Sequence, residues 1–211
     1  MTDYYSLFLD VDVSRETYDA LKVYQRLLEK WTTRINLISK STHDDVWVRH
    51  ICDSAQVMAL ASPHARHWVD IGSGGGLPGL VVAILAKELN PQLRVTLIES
   101  DQRKAVFLRT VVRELQLSAT VQAKRIEAVG PLKADIISAR ALAELSDLLR
   151  MTHSFMGENT QCLFMKGKSW SKEVKEAEKS WQFQAERFIS KTNHEAVILS
   201  VRNVTGAPRS E

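Results

Sequence analysis

The chain has 211 residues, of which 45% are hydrophobic and 25% charged, and this is enough for one globular α/β domain with a modest extension. It lacks the apolar run of a membrane-spanning helix, and its acidic N-terminus lacks the basic start of a secretory signal. The net charge of +3 does not by itself indicate a nucleic-acid partner. The two cysteines, Cys52 and Cys162, have no metal-ligand spacing, so we expect no metal site. Two cysteines cannot form a disulfide framework either, and this favours a cytoplasmic location.

Residues 1–64 are predicted to form a helical cap. From Ser14, a candidate helix N-cap, apolar residues recur at helical spacing as far as Ile35, and charged residues occupy the opposite face. A second helix is predicted from Asp44 to Ala61, ending before Pro63.

Residues 65–211 are predicted to form an α/β domain. Short β-rich runs occupy 67–72, 94–100, 119–126, 134–140 and 161–167. Helical patterns alternate with them at 77–89, 101–117, 143–155 and 171–180. This alternation predicts a parallel sheet with helices on both faces. Two further β-rich runs, at 181–190 and 195–204, are joined by a link too short for a helical crossover, so the seven-stranded sheet should end in an antiparallel hairpin.

A glycine-rich segment follows the first strand of this domain. Gly72, Gly74 and Gly76 alternate after Asp70, and residues without a Cβ let a ligand lie against the backbone amides. A phosphate-binding P-loop is excluded because no Lys-Ser or Lys-Thr follows the glycines. The dinucleotide fingerprint requires a glycine where Leu77 stands, and this disfavours a nicotinamide-dependent oxidoreductase.

The remaining candidate ligand is S-adenosylmethionine. The loop resembles the D-x-G-x-G-x-G pattern of methyltransferases, and Glu99 ends the next strand, where its carboxylate can accept hydrogen bonds from both ribose hydroxyls. Ligands of open α/β sheets bind at the carboxyl ends of the strands. Ile126 and Glu127 are therefore expected beside the adenine, and Arg140 beside the methyl end. These features predict a Rossmann-like class I SAM-dependent methyltransferase fold.

Basic residues are concentrated in two parts of the chain. The segment 101–125 contains six basic residues against two acidic ones, and 166–175 contains four lysines against Glu173. Each cluster is compatible either with a solvated helix face or with binding of RNA phosphates.

Six segments together resemble the small-subunit ribosomal RNA methyltransferase G family, also called glucose-inhibited division protein B, over nearly the whole chain. They are Ile35–Ser39, Val48–Ser54, Asp70–Leu80, Leu97–Arg109, Ser138–Leu142 and Met165–Lys168. The Arg-His-x-x-Asp-Ser block within Val48–Ser54 is the most specific, because generic methyltransferases lack it. The resemblance implies methylation of N7 of guanine 527 in the 530 loop of bacterial 16S rRNA. The implied partner is this RNA, the small ribosomal subunit or an assembly intermediate, and nothing demands a dimer.

The resemblance also implies a set of cofactor-binding residues, to which the general methyltransferase pattern adds others. From the family come Gly72, Leu77, Ile126, Glu127 and Arg140. From the general pattern come Asp70, Gly74, Gly76 and Glu99.

The chemistry of guanine N7 requires no general base, because this nitrogen already carries an in-plane lone pair. The protein must instead align the reactants and exclude water. Arg140 and Lys166 are predicted to orient the guanine, with phosphate binding as the alternative role for each. RNA contacts are predicted for Asn36, Arg49, His50, Arg103, Lys104, Arg125, Lys166 and Lys168. Three alternatives stay open: methylation of another RNA or of a small nucleophile, non-catalytic RNA binding by a vestigial fold, and the disfavoured oxidoreductase.

Overall fold

The computed structural model describes residues 4–6, 12–39 and 45–206. The strands are β1 (Tyr4–Ser6), β2 (Asp12–Ser14), β3 (His67–Ile71), β4 (Arg94–Ile98), β5 (Ala119–Gln122), β6 (Ala134–Arg140), β7 (Met156–Lys166), β8 (Gln182–Ile189) and β9 (Val197–Thr205). The helices are α1 (Arg15–Thr32), α2 (Asp53–Leu60), α3 (Gly79–Leu89), α4 (Gln102–Glu114), α5 (Leu145–Thr152) and α6 (Trp170–Ala177). None of the helices within these ranges is long and apolar enough to cross a membrane.

The centre of the fold is a seven-stranded sheet in the order β5-β4-β3-β6-β7-β9-β8. The first five of these strands are parallel, and β9 is antiparallel to both β7 and β8. The prediction of a mostly parallel sheet ending in an antiparallel hairpin is therefore confirmed. Consecutive residues of a strand face opposite sides of the sheet, so Trp68 lies in one apolar core and Val69 in the other. Both faces are covered because the central strands are apolar at nearly every position.

The N-terminal segment packs on one face of this sheet. Ser14 caps α1, as predicted, by accepting a hydrogen bond from the backbone N–H of Thr17 (3.3 Å). Leu21, Tyr24 and Leu28 of α1 are fully buried in the apolar core that α3 also enters. The helix ends at Thr32, before the last predicted apolar position. The short antiparallel pair of β1 and β2 was not predicted, because three-residue strands carry too little periodicity.

The second predicted helix divides into two parts. Its predicted start, Asp44, lies outside the described residues. A π-helical turn spans Trp47–Cys52, and α2 follows it as far as Leu60. The Arg-His-x-x-Asp-Ser block therefore straddles the junction between the π turn and α2. Such π turns occur frequently at functional sites.

Several predicted boundaries were wrong by a few residues. The strand predicted at 119–126 ends at Gln122, because its neighbour β4 offers no pairing partner beyond Ile98. Ile126 instead begins a 3₁₀ turn that extends to Ala128. The helix α3 begins at Gly79, so Pro78 precedes its first turn rather than lying within it.

Candidate active site

Among the cavities at the carboxyl edge of the sheet, two that differ in size have a single lining residue in common, Ala141. The smaller has a volume of about 330 Å³ and is lined by residues of the glycine loop, β4 and the loop after β5. The larger has a volume of about 750 Å³ and is lined by the π turn, the ends of β6 and β7, and the loop between β8 and β9. Both volumes are in the range of small-molecule binding sites. The location agrees with the rule that open α/β sheets bind ligands at this edge.

The glycine loop adopts backbone conformations that are unfavourable for residues with side chains. Gly72, Gly74 and Gly76 have φ angles of +61°, +52° and +87°, in the left-handed region that favours glycine. A Cβ on Gly72 would lie 2.6 Å from Cδ1 of Leu142, whereas a Cβ on Gly74 would meet nothing closer than 3.7 Å. Gly72 and Gly74 both line the smaller cavity, so a methyl group at either position would disturb the loop or the space beside it.

Glu99 holds the glycine loop in place. Its Oε2 accepts a hydrogen bond from the backbone N–H of Gly74 (2.8 Å), and its Oε1 accepts one from that of Asp101 (2.8 Å). The side chain lines the smaller cavity at the end of β4. Each carboxylate oxygen can accept a second hydrogen bond, which leaves capacity for two hydroxyl donors.

Asp70 lies beneath the loop and lines neither cavity. Its carboxyl group is fully buried, and Oδ1 accepts a hydrogen bond from the hydroxyl of Ser138 (2.6 Å), which in turn accepts one from the indole of Trp68 (2.7 Å). A Cβ on Gly79 would lie 2.7 Å from Oδ2 of Asp70, so α3 approaches this carboxyl group closely. This geometry indicates that Asp70 stabilises the loop and the start of α3 and does not contact a ligand directly.

Burial makes the fold sensitive to the charge of Asp70. Desolvation raises the pKa of Asp70 from 3.8 to about 6, although the hydroxyl of Ser138 acts in the opposite direction. A carboxyl group with a raised pKa in the folded state destabilises the fold as it ionises. We expect the free energy of unfolding of the wild type, relative to that of Asp70→Asn, to fall by about 2 kcal/mol between pH 4 and pH 7. Urea titrations across this range measure the difference, and Asp147→Asn on the surface of α5 is the control. Parallel pH profiles for the wild type and Asp70→Asn would contradict the expectation.

The other predicted cofactor residues fall into two groups. Ile126 and Glu127 line the smaller cavity, as do the basic residues Lys104 and Arg125. Gly76 and Leu77 line neither cavity: a Cβ on Gly76 would lie 2.3 Å from the side chain of Leu80, and Leu77 packs in the apolar core. Gly76 therefore shapes the turn into α3.

Arg140 lies at the end of β6 and lines the larger cavity rather than the smaller one. Its Nη2 donates hydrogen bonds to the backbone oxygen of Arg49 (2.8 Å) and to Nδ1 of His50 (2.9 Å), and its Nη1 forms an ion pair with Asp53 (3.5 Å). Because an arginine only donates, Nδ1 of His50 is the acceptor, and the imidazole has its proton on Nε2. Burial lowers the pKa of Arg140, and Asp53 opposes this effect.

Asp53 connects three parts of this site. Its Oδ2 pairs with Arg140, and its Oδ1 accepts hydrogen bonds from the hydroxyls of Ser190 (2.9 Å) and Thr192 (2.7 Å) and from the side-chain amide of Gln56 (3.0 Å). Asp53 was not among the predicted site residues. Ser54 also accepts a hydrogen bond from Arg140 (3.4 Å). The Asp-Ser end of the Arg-His-x-x-Asp-Ser block therefore contacts Arg140 through both of its residues.

Lys166 lines the larger cavity, but its charge is already paired. It forms an almost fully buried ion pair with Glu173 of α6 and donates a hydrogen bond to the backbone oxygen of Ala143 (2.6 Å). The same Glu173 accepts a hydrogen bond from the backbone N–H of Leu145 (3.1 Å). These contacts hold the loop between β6 and α5, which contains Ala141, against the end of β7.

The remaining predicted RNA-binding residues do not form one cluster. Arg49 and His50 line the larger cavity. Asn36, Arg103 and Lys168 are exposed and line neither cavity. Asn36 lies beyond Thr32, the last residue of α1.

Neither cysteine is suited to act as a nucleophile. Cys52 and Cys162 are buried, and desolvation raises the pKa of their thiols to about 11 and about 12. Among the residues within the described ranges, no group of three or more His, Cys, Asp or Glu side chains is placed to hold a metal ion.

Several lining residues were missed by the sequence analysis. Leu142 and Met151 line the smaller cavity, and Asn193, His194 and Glu195 line the larger one. The signal for the last three was available, because a hairpin antiparallel to β7 brings its connecting loop to the carboxyl edge of the sheet.

The sheet order, the glycine loop and the acidic residue at the end of β4 define a SAM-dependent methyltransferase fold. A solved structure of a SAM-dependent methyltransferase from Aquifex aeolicus superposes with a TM-score of 0.58 at 13% identity, covering 84% of this chain and 97% of that one. The chain belongs to the rRNA small subunit methyltransferase G family, whose sequence profile matches residues 17–199.

Relatives that carry this family name are similar over almost their full length. The ribosomal RNA small subunit methyltransferase G of Ruegeria sp. (strain TM1040) is 49% identical over 93% of this chain and 95% of its own length. The protein of the same name from Jannaschia sp. (strain CCS1) is 50% identical over 90% of each chain. The predicted family, fold and class of enzyme are confirmed.

Proposed function

We propose that the protein transfers a methyl group from S-adenosylmethionine to N7 of guanine 527 in 16S rRNA. The observation that carries this proposal is the meeting of the two cavities at Ala141. One cavity has the glycine loop and Glu99, and the other has the cluster around Arg140. A donor in the smaller cavity and a base in the larger one would then face each other across a single residue.

The residues of the smaller cavity fit the donor. Glu99 would accept hydrogen bonds from the ribose hydroxyls, Ile126 would contact the adenine, and the bare backbone at Gly74 leaves the space that a Cβ would fill. When bound, S-adenosylmethionine supplies an electrophilic methyl group whose bond to sulfur breaks, with the electron pair left on sulfur, as the N7 lone pair forms the new bond. Lys104 and Arg125, which also line this cavity, would hold phosphates of the RNA.

The residues of the larger cavity would position the guanine without removing a proton from it. Arg140 is fixed by contacts that engage both of its Nη atoms, so its Nε–H would be the preorganised donor to O6 of the base. Because Lys166 is tied to Glu173 and Ala143, its contribution would be to fix the loop at Ala141.

The RNA partner would be reached as an unpaired base in the small subunit or in an assembly intermediate, since the N7 edge must be approached freely. Exposed basic residues, including Arg103 and Lys168, would contribute phosphate contacts that weaken with salt. We propose a cytoplasmic monomer in which a cap of residues 1–64 and a methyltransferase domain of residues 65–211 form one unit.

The test is methyl transfer to defined RNA. Small subunits lacking the modification should accept label from tritiated S-adenosylmethionine at nucleotide 527, mapped by cleavage at N7-methylguanosine. Subunits reconstituted with 7-deazaguanosine at that position, which lack only the acceptor nitrogen, should take up none. Equal labelling of the two particles, or transfer to small nucleophiles alone, would refute the proposal.

A further inference from the structure

The charged groups that line the larger cavity are paired, with one exception. Arg140 pairs with Asp53, Lys166 pairs with Glu173, and Arg49 lies 3.9 Å from Asp45. Within the described part of the chain, the carboxylate of Glu195 has neither a hydrogen bond nor an ion pair, although it lines the same cavity. The cavity therefore has one carboxylate available to a ligand.

Glu195 is carried by a loop with an ordered backbone. Its N–H donates a hydrogen bond to the side-chain oxygen of Asn193 (3.0 Å), and the N–H of Ser190 donates one to the backbone oxygen of Ala196 (2.9 Å). The base of the loop is bonded to Asp53 through Ser190. Asp53 thus holds Arg140 directly and the base of the loop that carries Glu195 through Ser190, and both Arg140 and Glu195 line the larger cavity.

The chemistry of the proposed substrate matches this arrangement. A guanine presents acceptors, O6 and N7, on one edge and two donors, N1–H and the N2 amino group, on the adjacent edge. Arg140 offers donors only, and a carboxylate offers acceptors only. An adenine has an acceptor at N1 and lacks the N2 amino group, so it would meet the carboxylate with a repulsive contact.

We propose that Glu195 accepts hydrogen bonds from N1–H and the N2 amino group of the target guanine and thereby selects guanine over adenine. This inference rests on the proposed function. The carboxylate has a second effect, because methylation at N7 places a positive charge on the purine. A negative charge beside that purine stabilises the transition state more than the bound substrate.

Inosine provides the test, since it keeps N7, O6 and N1–H and lacks only the N2 amino group. Small subunits are reconstituted with guanosine or inosine at nucleotide 527, and kcat/KM is measured for each. The wild type should prefer guanosine by about tenfold, as expected for one lost hydrogen bond to a charged group. In Glu195→Ala the activity on guanosine should fall by at least that factor, and the preference should disappear.

Controls separate this role from general damage. Glu195→Ala should retain the wild-type Kd for S-adenosylmethionine, because Glu195 does not line the smaller cavity. Glu186→Ala, an exposed substitution on β8 of the same hairpin, should keep both the activity and the preference. A wild type indifferent to inosine, or a preference unchanged in Glu195→Ala, would overturn the inference while leaving the proposed function intact. If the wild type fails to methylate the small subunits that have guanosine at nucleotide 527, both the inference and the proposed function are refuted.

Discussion

Arg140→Ala is expected to lower kcat by about 100-fold, the scale of loss seen when a reacting group is misplaced by about 1 Å. The guanidinium joins the π turn, α2 and the end of β6 through Arg49, His50 and Asp53. Its removal therefore breaks the contacts that hold these elements together at the wall of the larger cavity. It also leaves the mostly buried carboxylate of Asp53 without its cation, which should cost about 3 kcal/mol of stability. Single-turnover methylation and thermal unfolding measure the two effects.

A double variant distinguishes the catalytic effect from the structural one. Arg140→Met with Asp53→Asn removes both charges, so more than half of the lost stability should return while kcat stays low. Arg150→Ala is the matched control, because its ion pair with Asp147 is exposed and such pairs contribute little. Recovery of kcat together with stability would show that Arg140 is needed only for folding.

The second large effect is expected at Glu99. Glu99→Ala removes the acceptor for the backbone N–H groups of Gly74 and Asp101 and, in the proposed complex, for two ribose hydroxyls. With hydrogen bonds to a charged group worth about 1.5 kcal/mol each, the Kd for S-adenosylmethionine should rise roughly 100-fold. Isothermal titration calorimetry gives this value directly. The control is Glu114→Ala, which changes an exposed glutamate at the end of α4 and should leave the Kd for S-adenosylmethionine at the wild-type value. If Glu99→Ala also has a Kd within twofold of the wild type, the contact assigned to Glu99 is excluded.

The sheet was predictable because its signals are local. The central strands are apolar on both faces, and the short link between β8 and β9 permits only an antiparallel arrangement. The rule for the carboxyl edge then brings Gly72, Glu99 and Ile126 together without knowledge of any tertiary contact. These residues do line one cavity.

The direction and the partner of a charged side chain were not predictable in the same way. Asp70 was expected at the ligand because it precedes the glycines, yet its carboxyl group points beneath the loop towards Ser138. Lys166 was expected to face the RNA, because Glu173 stands among lysines and resembles part of a solvated helix face. The pairing of Lys166 with Glu173 depends on how α6 packs against the end of β7, and the periodicity of the sequence does not indicate it.

The contacts of the hairpin loop were beyond prediction for a simpler reason. Asp53 and Ser190 are 137 positions apart, and neither belongs to a spacing that indicates a partner. Only the tertiary fold brings them into one cluster with Arg140.

The two cavities are assembled from different stretches of the polypeptide. The walls of the smaller one come from residues between Gly72 and Met151, whereas the larger one also requires the π turn near the start of the chain and the loop after β8 near its end. During translation, every wall of the smaller cavity has therefore been synthesised before the last wall of the larger cavity exists. In the proposed complex, the nucleobase would be engaged only after the loop between β8 and β9 has packed against the end of the π turn.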